Sequence, residues 1–551
     1  MRKIFTFLFF SCIISAYAVQ DIYVSTMGND ENDGSNESPF ATLVKAVSMV
    51  TEDGATIHVA AGTYVFTEPA EIQPYDQTIV GEDAATTILD GGGSSLLING
   101  MVNMQSSDKA LTIRNLAFKN GKMNVTDAPG GAAIRMGVQT NLLVEDCYFY
   151  NNKAESTDNA ITWGGAIFFL GNNLTVDRCF FEENASLSNN AEGYGGAIAV
   201  RHLFNENLKT PASGTHIPVG DTYAVIKNST FYKNSTKSKG GAVYFNKQLD
   251  ANLDDEDATF VVQNCVFLEN IGVKDMLLGA AVALSSGSNS ENNKAQTIIL
   301  TNNTMYNNYQ TDVPGTPKKK STVLLEGFRY TSYMANNIII SETAPNDFAL
   351  HANQPAPIEY GMNNIIDKVN ANINGADFVA DKVTKKNMLD AVTAEDINLN
   401  TTLVGYPISE TAFSVPYLTL ANGSSAINGG VNSYFINTIA NPAPADPVEF
   451  VLSADIQGTY IHAAVRDLGA FEWTPSTSAH IEKLGNKTVI NESNGIRILN
   501  TEKAERITIY SINGMMISEK LADSHQTYVP LKVSGLYIIN INGQAYKHYF
   551  K

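Results

Sequence analysis

The sequence predicts an all-β chain: a right-handed parallel β-helix solenoid followed by a small C-terminal β-sandwich. Three observations predict it. Six segments fall into register on the pattern apolar-x-apolar-x-x-C-x-F-x-x-N. A second set of small-residue tetrapeptides interleaves with the first, and the last stretch breaks into short alternating strands behind a polar linker.

The six segments are anchored at Leu111, Leu142, Leu174, Ala224, Phe260 and Ile298. Alternate residues in each are apolar, which is strand periodicity. A polar pair such as Glu145-Asp146 or Lys227-Asn228 then interrupts the run, where the chain would turn a corner. Stacking the segments predicts two inward ladders. One is Phe118, Phe149, Phe181, Phe231, Phe267 and Met305; the other is Leu116, Cys147, Cys179, Ser229, Cys265 and Asn303.

The interleaved tetrapeptides begin at Gly131, Gly164, Gly195, Gly240 and Gly279, and each ends in Ile or Val. Small residues let the backbone pass a tight bend, and the β-branched residue after them points into the core. Those Ile/Val positions (134, 167, 198, 243 and 282) are 33, 31, 45 and 39 residues apart. Repeats of that length with two strand signals each mean a solenoid in which every coil buries its apolar face against its neighbours. The longer gaps are loops, notably 201–222 and 246–258.

Composition agrees. A chain of 551 residues is long for one compact core. It is 44% hydrophobic but only 17% charged, a balance that suits turn-rich β structure. The net charge of −19 argues against nucleic acid and anionic lipid as partners, while leaving neutral glycans and cations open. Arg2, Lys3, the apolar run Ile4 to Ile14 and Ala16-Tyr17-Ala18 read as a signal peptide over residues 1–18. A lipoprotein signal with Cys12 as the modified residue is the rival reading. No later segment has the unbroken apolar length of a membrane helix, so the mature chain is expected to lack one. Cys147, Cys179 and Cys265 then remain, an odd number, so at least one thiol is free. Their places in the ladder read as packing positions.

The paired tetrapeptide and F-x-x-N signals over residues 110–310 resemble the polymorphic outer-membrane protein repeat. More widely, they resemble secreted right-handed β-helix proteins of the pectate-lyase-like superfamily. The opening from Tyr23 through Gly28, Asp33, Gly34, Pro39 and Phe40 to Val47 is similar to the start of many such proteins, where a short strand leads into a capping helix near 41–50. Ser425 to Asn428 and Arg466 to Glu472 resemble the closing segment of bacterial β-helices. The resemblance implies one domain over residues 19–473, with weaker coils between 330 and 420. Residues 474–483 read as a linker, and Asn513-Gly514 in the tail reads as a hairpin turn. Residues 484–551 resemble the C-terminal sorting domain of type IX secretion, which implies a Bacteroidetes source and passage across the outer membrane to the surface or medium. The secretion machinery would then be a partner of this tail; a sandwich that itself binds glycans is the alternative.

Chemistry is sparse. The sequence holds no His-Glu-x-x-His, P-loop, dinucleotide fingerprint or Cys-x-x-Cys, so no catalytic residue is assigned and no cofactor is implied beyond calcium. Calcium candidates are Asp30 and Asp33 in an Asx-rich loop, and the cluster Asp254, Asp255 and Asp257. Turn chemistry and a solvated loop are the plainer explanations of each. If the Ile/Val ladder points inward, Arg135, Phe168, Arg201 and Tyr244 share an outward stripe where rings stack on sugars and arginines hold hydroxyls or carboxylates. Alternatively, loops 151–160 and 201–222 cover them. Three functions remain: non-catalytic binding of a polysaccharide or host-surface glycan in the manner of an adhesin, a polysaccharide lyase or glycoside hydrolase, or a structural surface-layer component. A Lys or Arg against an Asp/Glu pair in a groove would separate the second from the others.

Overall fold

The computed structural model describes residues 20–427 and 482–550, with 467, 469 and 470, apart from internal segments. The largest of these are 203–219, 248–256, 287–295, 311–320, 367–387 and 391–398. The signal segment, most of the linker, Asn513-Gly514 and most of the closing segment lie outside the described residues. Two compact units divide the chain, Met1–Trp473 and Thr474–Lys551.

In the first unit the chain winds through three long parallel sheets, here called faces 1, 2 and 3. Face 1 has 11 strands, from Asp21–Val24 to Ile358–Met362; face 2 also has 11, from Gly62–Val65 to Met388–Asp390. Face 3 has nine, from Ala70–Glu71 to Phe348–Asn353. Six short strands, from Lys122–Met123 to Tyr309–Gln310, line the corner between faces 2 and 3. Each strand pairs in parallel with the strand one coil away, which makes the unit a right-handed parallel β-helix.

Both predicted ladders form in the predicted register. Phe118, Phe149, Phe181, Phe231 and Phe267 stack with centroid spacings of 4.6–4.8 Å and nearly parallel rings. Cys147, Cys179 and Cys265 are free and buried as the second ladder requires. Burial pushes the Cys179 and Cys265 thiols up, away from the reactive thiolate.

The corners explain why the repeat is written as it is. Asn115, Asp146, Arg178, Asn228, Asn264 and Asn302 leave face 1 with φ between 50° and 59°. Asn is over-represented because its short amide tolerates the left-handed region that most side chains avoid. The Asn after face 2 has a different task. Asn152, Asn184, Asn234, Asn270 and Asn308 are fully buried, and the Nδ2 of each of the first four donates to the Oδ1 of the next at 2.7–2.9 Å. Each amide also donates to the carbonyl of the inward aromatic one coil back, such as Asn184 to Phe149 at 3.0 Å. The ladder thereby satisfies buried polar groups that a corner would otherwise orphan. Before face 3, Gly164 and Gly195 have φ of 55° and 67°. A Cβ there would lie 2.0 Å from the Ile167 carbonyl and 2.2 Å from that of Ile198.

The capping helix is short, Leu43–Ser48, with Thr42 accepting from the Lys45 amide. It buries Leu43, Ala46 and Val47 and covers the first coils. The coils continue to Met388–Asp390. Beyond them the weaker coils expected to 420 are instead an antiparallel hairpin, Leu399–Pro407 with Ser414–Leu420. The cause lies on face 2, whose outward residues turn apolar at Val266, Leu268, Ile338 and Ile340 and need cover. Leu418 and Leu420 pack in one cluster with them, joined by Ala426 and Ala470.

The second unit has two four-stranded antiparallel sheets. Val489, Ile496, Ile498 and Val529 of one share a core with Ile507, Ile509, Ile539 and Ile541 of the other, which makes it a sandwich. Its first strand, Glu482–Leu484, begins before the expected boundary, and the basic ending lies in a strand, Gln544–Phe550. Lys487 and Glu505 form a sealed ion pair at 2.9 Å.

Candidate functional site

The predicted stripe has its register right and its exposure wrong. Asn99, Arg135, Phe168, Ala199, Tyr244 and Ala283 occupy one outward row of face 3, and Arg201 stands in the next row beside Asn246. Phe168 and Tyr244, however, are each only 3% exposed. Two short strands, Thr162–Trp163 and Gly193–Tyr194, pair over this face and bring Trp163 and Tyr194 onto the rings. The result is a second apolar core containing Leu170, Ala199, Ala283 and Leu324 as well. Burial pushes the Tyr244 phenol up and lowers Arg201 to about 10, and the Arg201 guanidinium lies 3.9 Å over the Trp163 ring. No ring of this stripe is open to stack on a sugar. The covering layer came from residues 162–163 and 193–194, whose two-residue strands carry no periodic signal. Of the loops expected to cover it, 151–160 carries the strand Lys153–Ser156 of the corner sheet, and 203–219 within 201–222 lies outside the described residues.

The calcium candidates fare differently. Asp30 has its carboxylate committed to protein: it accepts from the Ala41 and Thr42 amides at 2.9 Å and from the Thr42 hydroxyl at 2.8 Å. It ties the first loop to the start of the helix. Asp33 caps its own turn through the Ser35 amide, which lowers its pKa. Asp254 and Asp255 lie outside the described residues, and Asp257 is exposed with its amide on Asp221. Among the described residues no three His, Cys, Asp or Glu side chains gather as a metal set.

The structure brings together a different group at the first coils. A groove of about 430 Å³ is lined by Tyr23, Ser25, Asn36, Pro39, His58 and Glu82, among others. Its floor is the outer side of face 1, where Tyr23, His58 and Val80 stand on three successive strands. Its wall is the loop before the helix, held because Phe40 is buried and exchanges backbone hydrogen bonds with the first strand (Phe40 N to Tyr23 O and Ser25 N to Phe40 O, both 2.9 Å). Gly34, at φ 79°, lets that loop pass the Phe40 ring, which a Cβ would meet at 2.3 Å. The His58 Nε2 lies 2.9 Å from the Asp21 carboxylate, and the imidazole stacks on Tyr23 at 4.7 Å with planes 16° apart. An imidazole fixed between a carboxylate and a ring, beside Glu82, can donate to or accept from hydroxyl groups or pass a proton.

Two cations sit against acidic pairs elsewhere. Lys109 lies 2.7 Å from Asp53 and 3.7 Å from Asp76. Arg178 makes a bidentate pair with Asp146 at 2.8 and 2.9 Å and reaches Asp177 at 2.6 Å. Hydrogen bonding to Asp53 raises the Lys109 pKa, and bonding to Asp146 raises that of Arg178. Such cations are fixed in the protonated form, opposite to a poised base. Neither lines the groove.

Comparison with known proteins adds one sequence match. Residues 228–246 fit the Chlamydia polymorphic membrane protein repeat. The sequence matches no curated protein. Among solved structures, a rhamnogalacturonan lyase is similar at 15% identity over 63% of this chain and 87% of its own, with a TM-score of 0.30. A pectin methylesterase from carrot shares 11% identity over 62% of this chain and 90% of its own, at 0.25. XylC in complex with xylose shares 11% identity over 82% of this chain and 98% of its own, at 0.35.

Proposed function

We propose that the mature chain is an exported surface β-helix that binds a neutral glycan, without cleaving it, in the groove between Tyr23, His58 and Glu82. The groove itself carries the reading. Apolar lining from Pro39, Val59 and Val80 lies beside an amide, an imidazole and a carboxylate, the mixture that suits the two-sided surface of a sugar ring. Asp21 and Glu82 disfavour a polyanion there, and among the described residues no Lys or Arg lines the groove to act as a lyase base.

Titration calorimetry of the mature protein against neutral oligosaccharides tests this. Tyr23→Ala is expected to weaken binding at least about tenfold through lost ring contact and loosened His58. Equal binding by wild type and variant would remove the groove from the reading. The His58–Asp21 pair favours a second reading, a polysaccharide lyase or glycoside hydrolase. Growth of the unsaturated-sugar absorbance, or of reducing ends, lost in His58→Ala, would establish it in place of simple binding.

Residues 484–551 act in this reading as the type IX sorting domain of a Bacteroidetes protein. The sandwich fold of the tail and its resemblance support that role. Deleting 484–551 should leave the chain in the periplasm of such a host; undiminished surface display or release would reject it.

A further inference from the structure

Arg135 is partnered differently from Arg201, the other arginine of the predicted stripe on face 3, although the Nε of each is sealed without an acceptor. It leaves strand Ile134–Met136 between Asn99 on the coil before and Phe168 on the coil after. Its Nε is sealed from solvent and meets no hydrogen-bond acceptor. Among the described residues no side chain forms an ion pair or ring contact with it. Glu71 is near enough to act on it electrostatically, yet Glu71 takes both of its hydrogen bonds from the Asn99 amide, at 2.9 and 3.0 Å. Arg201, by contrast, has packed its guanidinium on Trp163. Burial lowers the Arg135 pKa despite Glu71. The guanidinium nonetheless stays charged at neutral pH.

With Nε desolvated and no protein acceptor on the rest of its fork, the guanidinium is incompletely satisfied until an acceptor arrives. Its planar fork of donors matches the paired oxygens of a carboxylate or sulfate. Arg135 is only partly covered, so solvent-borne groups can reach it. The net charge of −19 opposes a long polyanion, which limits the occupant to a small one. We infer that Arg135 is an anion subsite on face 3 that takes a single carboxylate or sulfate group. It lies outside the lining of the Tyr23–His58 groove and stands whether or not that groove binds glycan.

The test is titration calorimetry of the mature full chain with glucuronate, glucose 6-sulfate, inorganic sulfate and glucose, at low and high salt. Wild type should bind the anions more weakly as salt rises. Arg135→Gln should lose at least about tenfold in anion affinity and leave glucose unchanged. Glu71→Gln, which removes a competing charge, should raise anion affinity by up to about tenfold. An arginine with a purely packing role would show no such gain. Should Arg135→Gln fail to fold, Arg135→Lys and Glu71→Gln decide the matter. Tighter binding of the sugar-borne anions than of sulfate would identify a sugar acid as the occupant; equal binding would identify the oxyanion alone. No anion binding by wild type, or equal binding by wild type and Arg135→Gln, overturns the subsite. Tyr23→Ala should leave anion binding intact, which separates this result from the fate of the groove.

Discussion

A single amide shows how tightly each coil is specified. Asn184 donates to the Phe149 carbonyl and to Asn234, and its oxygen accepts from the amide and side chain of Asn152. Asn184→Ala would orphan several buried groups at once, so it should destabilise the first unit by at least about 2 kcal/mol in a denaturant melt. Phe181→Ala removes a ring stacked on both sides and should cost about 3–5 kcal/mol. Near-zero loss in either variant would contradict the ladders. The thiols give a cheaper check: Cys147, Cys179 and Cys265 should resist alkylation in the native state and react once denaturant is added. These residues were legible in the sequence because each recurs at a fixed place beside an aromatic. His58 was not. It appears once, and the partners that give it a role, Asp21, Tyr23 and Glu82, lie on other coils.

Elements differ in how far local pattern determined them. Strands of the ladders repeat their own signal, so their register could be read directly. The hairpin at 399–420 was misread as coil because its apolar residues answer the outer side of face 2, a long-range demand that alternation alone does not encode. The same holds for the strands Thr162–Trp163 and Gly193–Tyr194, which are too short for any period. The helix is a third case: Asp30 reads as a metal ligand in an Asx-rich loop, while the fold spends it on the backbone at Thr42. Asp30→Ala should therefore cost about 1–3 kcal/mol, and calcium chelation should leave the melting temperature unchanged. A chelator-dependent melt would restore the metal reading. In the tail, strand Met516–Leu521 lies at a sheet edge with Met516, Ile517 and Leu521 exposed. Exposed apolar edges invite pairing with other chains, so Met516→Lys with Leu521→Lys should lower light scattering at high protein concentration.

At the scale of whole units, acid should act on the tail through one pair. Burial pushes the Glu505 carboxyl up, but the hydrogen bonds from Lys487 and the Glu502 amide, with the Lys487 charge, outweigh it and hold the group below the usual carboxylate range. A depressed folded pKa adds stability above the unfolded value and loses it as pH falls through the folded one. The tail should thus lose protection in hydrogen exchange below about pH 4, and Glu505→Gln should flatten that dependence. An unchanged profile would show the pair to be energetically silent.

The repeated corner also makes the first unit a ruler. Each coil advances face 1 by about 4.8 Å, so ten steps separate its first strand from its last by about 48 Å. The groove belongs to the first three coils and shares no residue with the middle ones. Duplicating the coil between Leu142 and Leu174 would therefore move the groove one graduation along the axis and leave its shape alone. Insertions in such a chain set reach, and point substitutions at one end set what is reached.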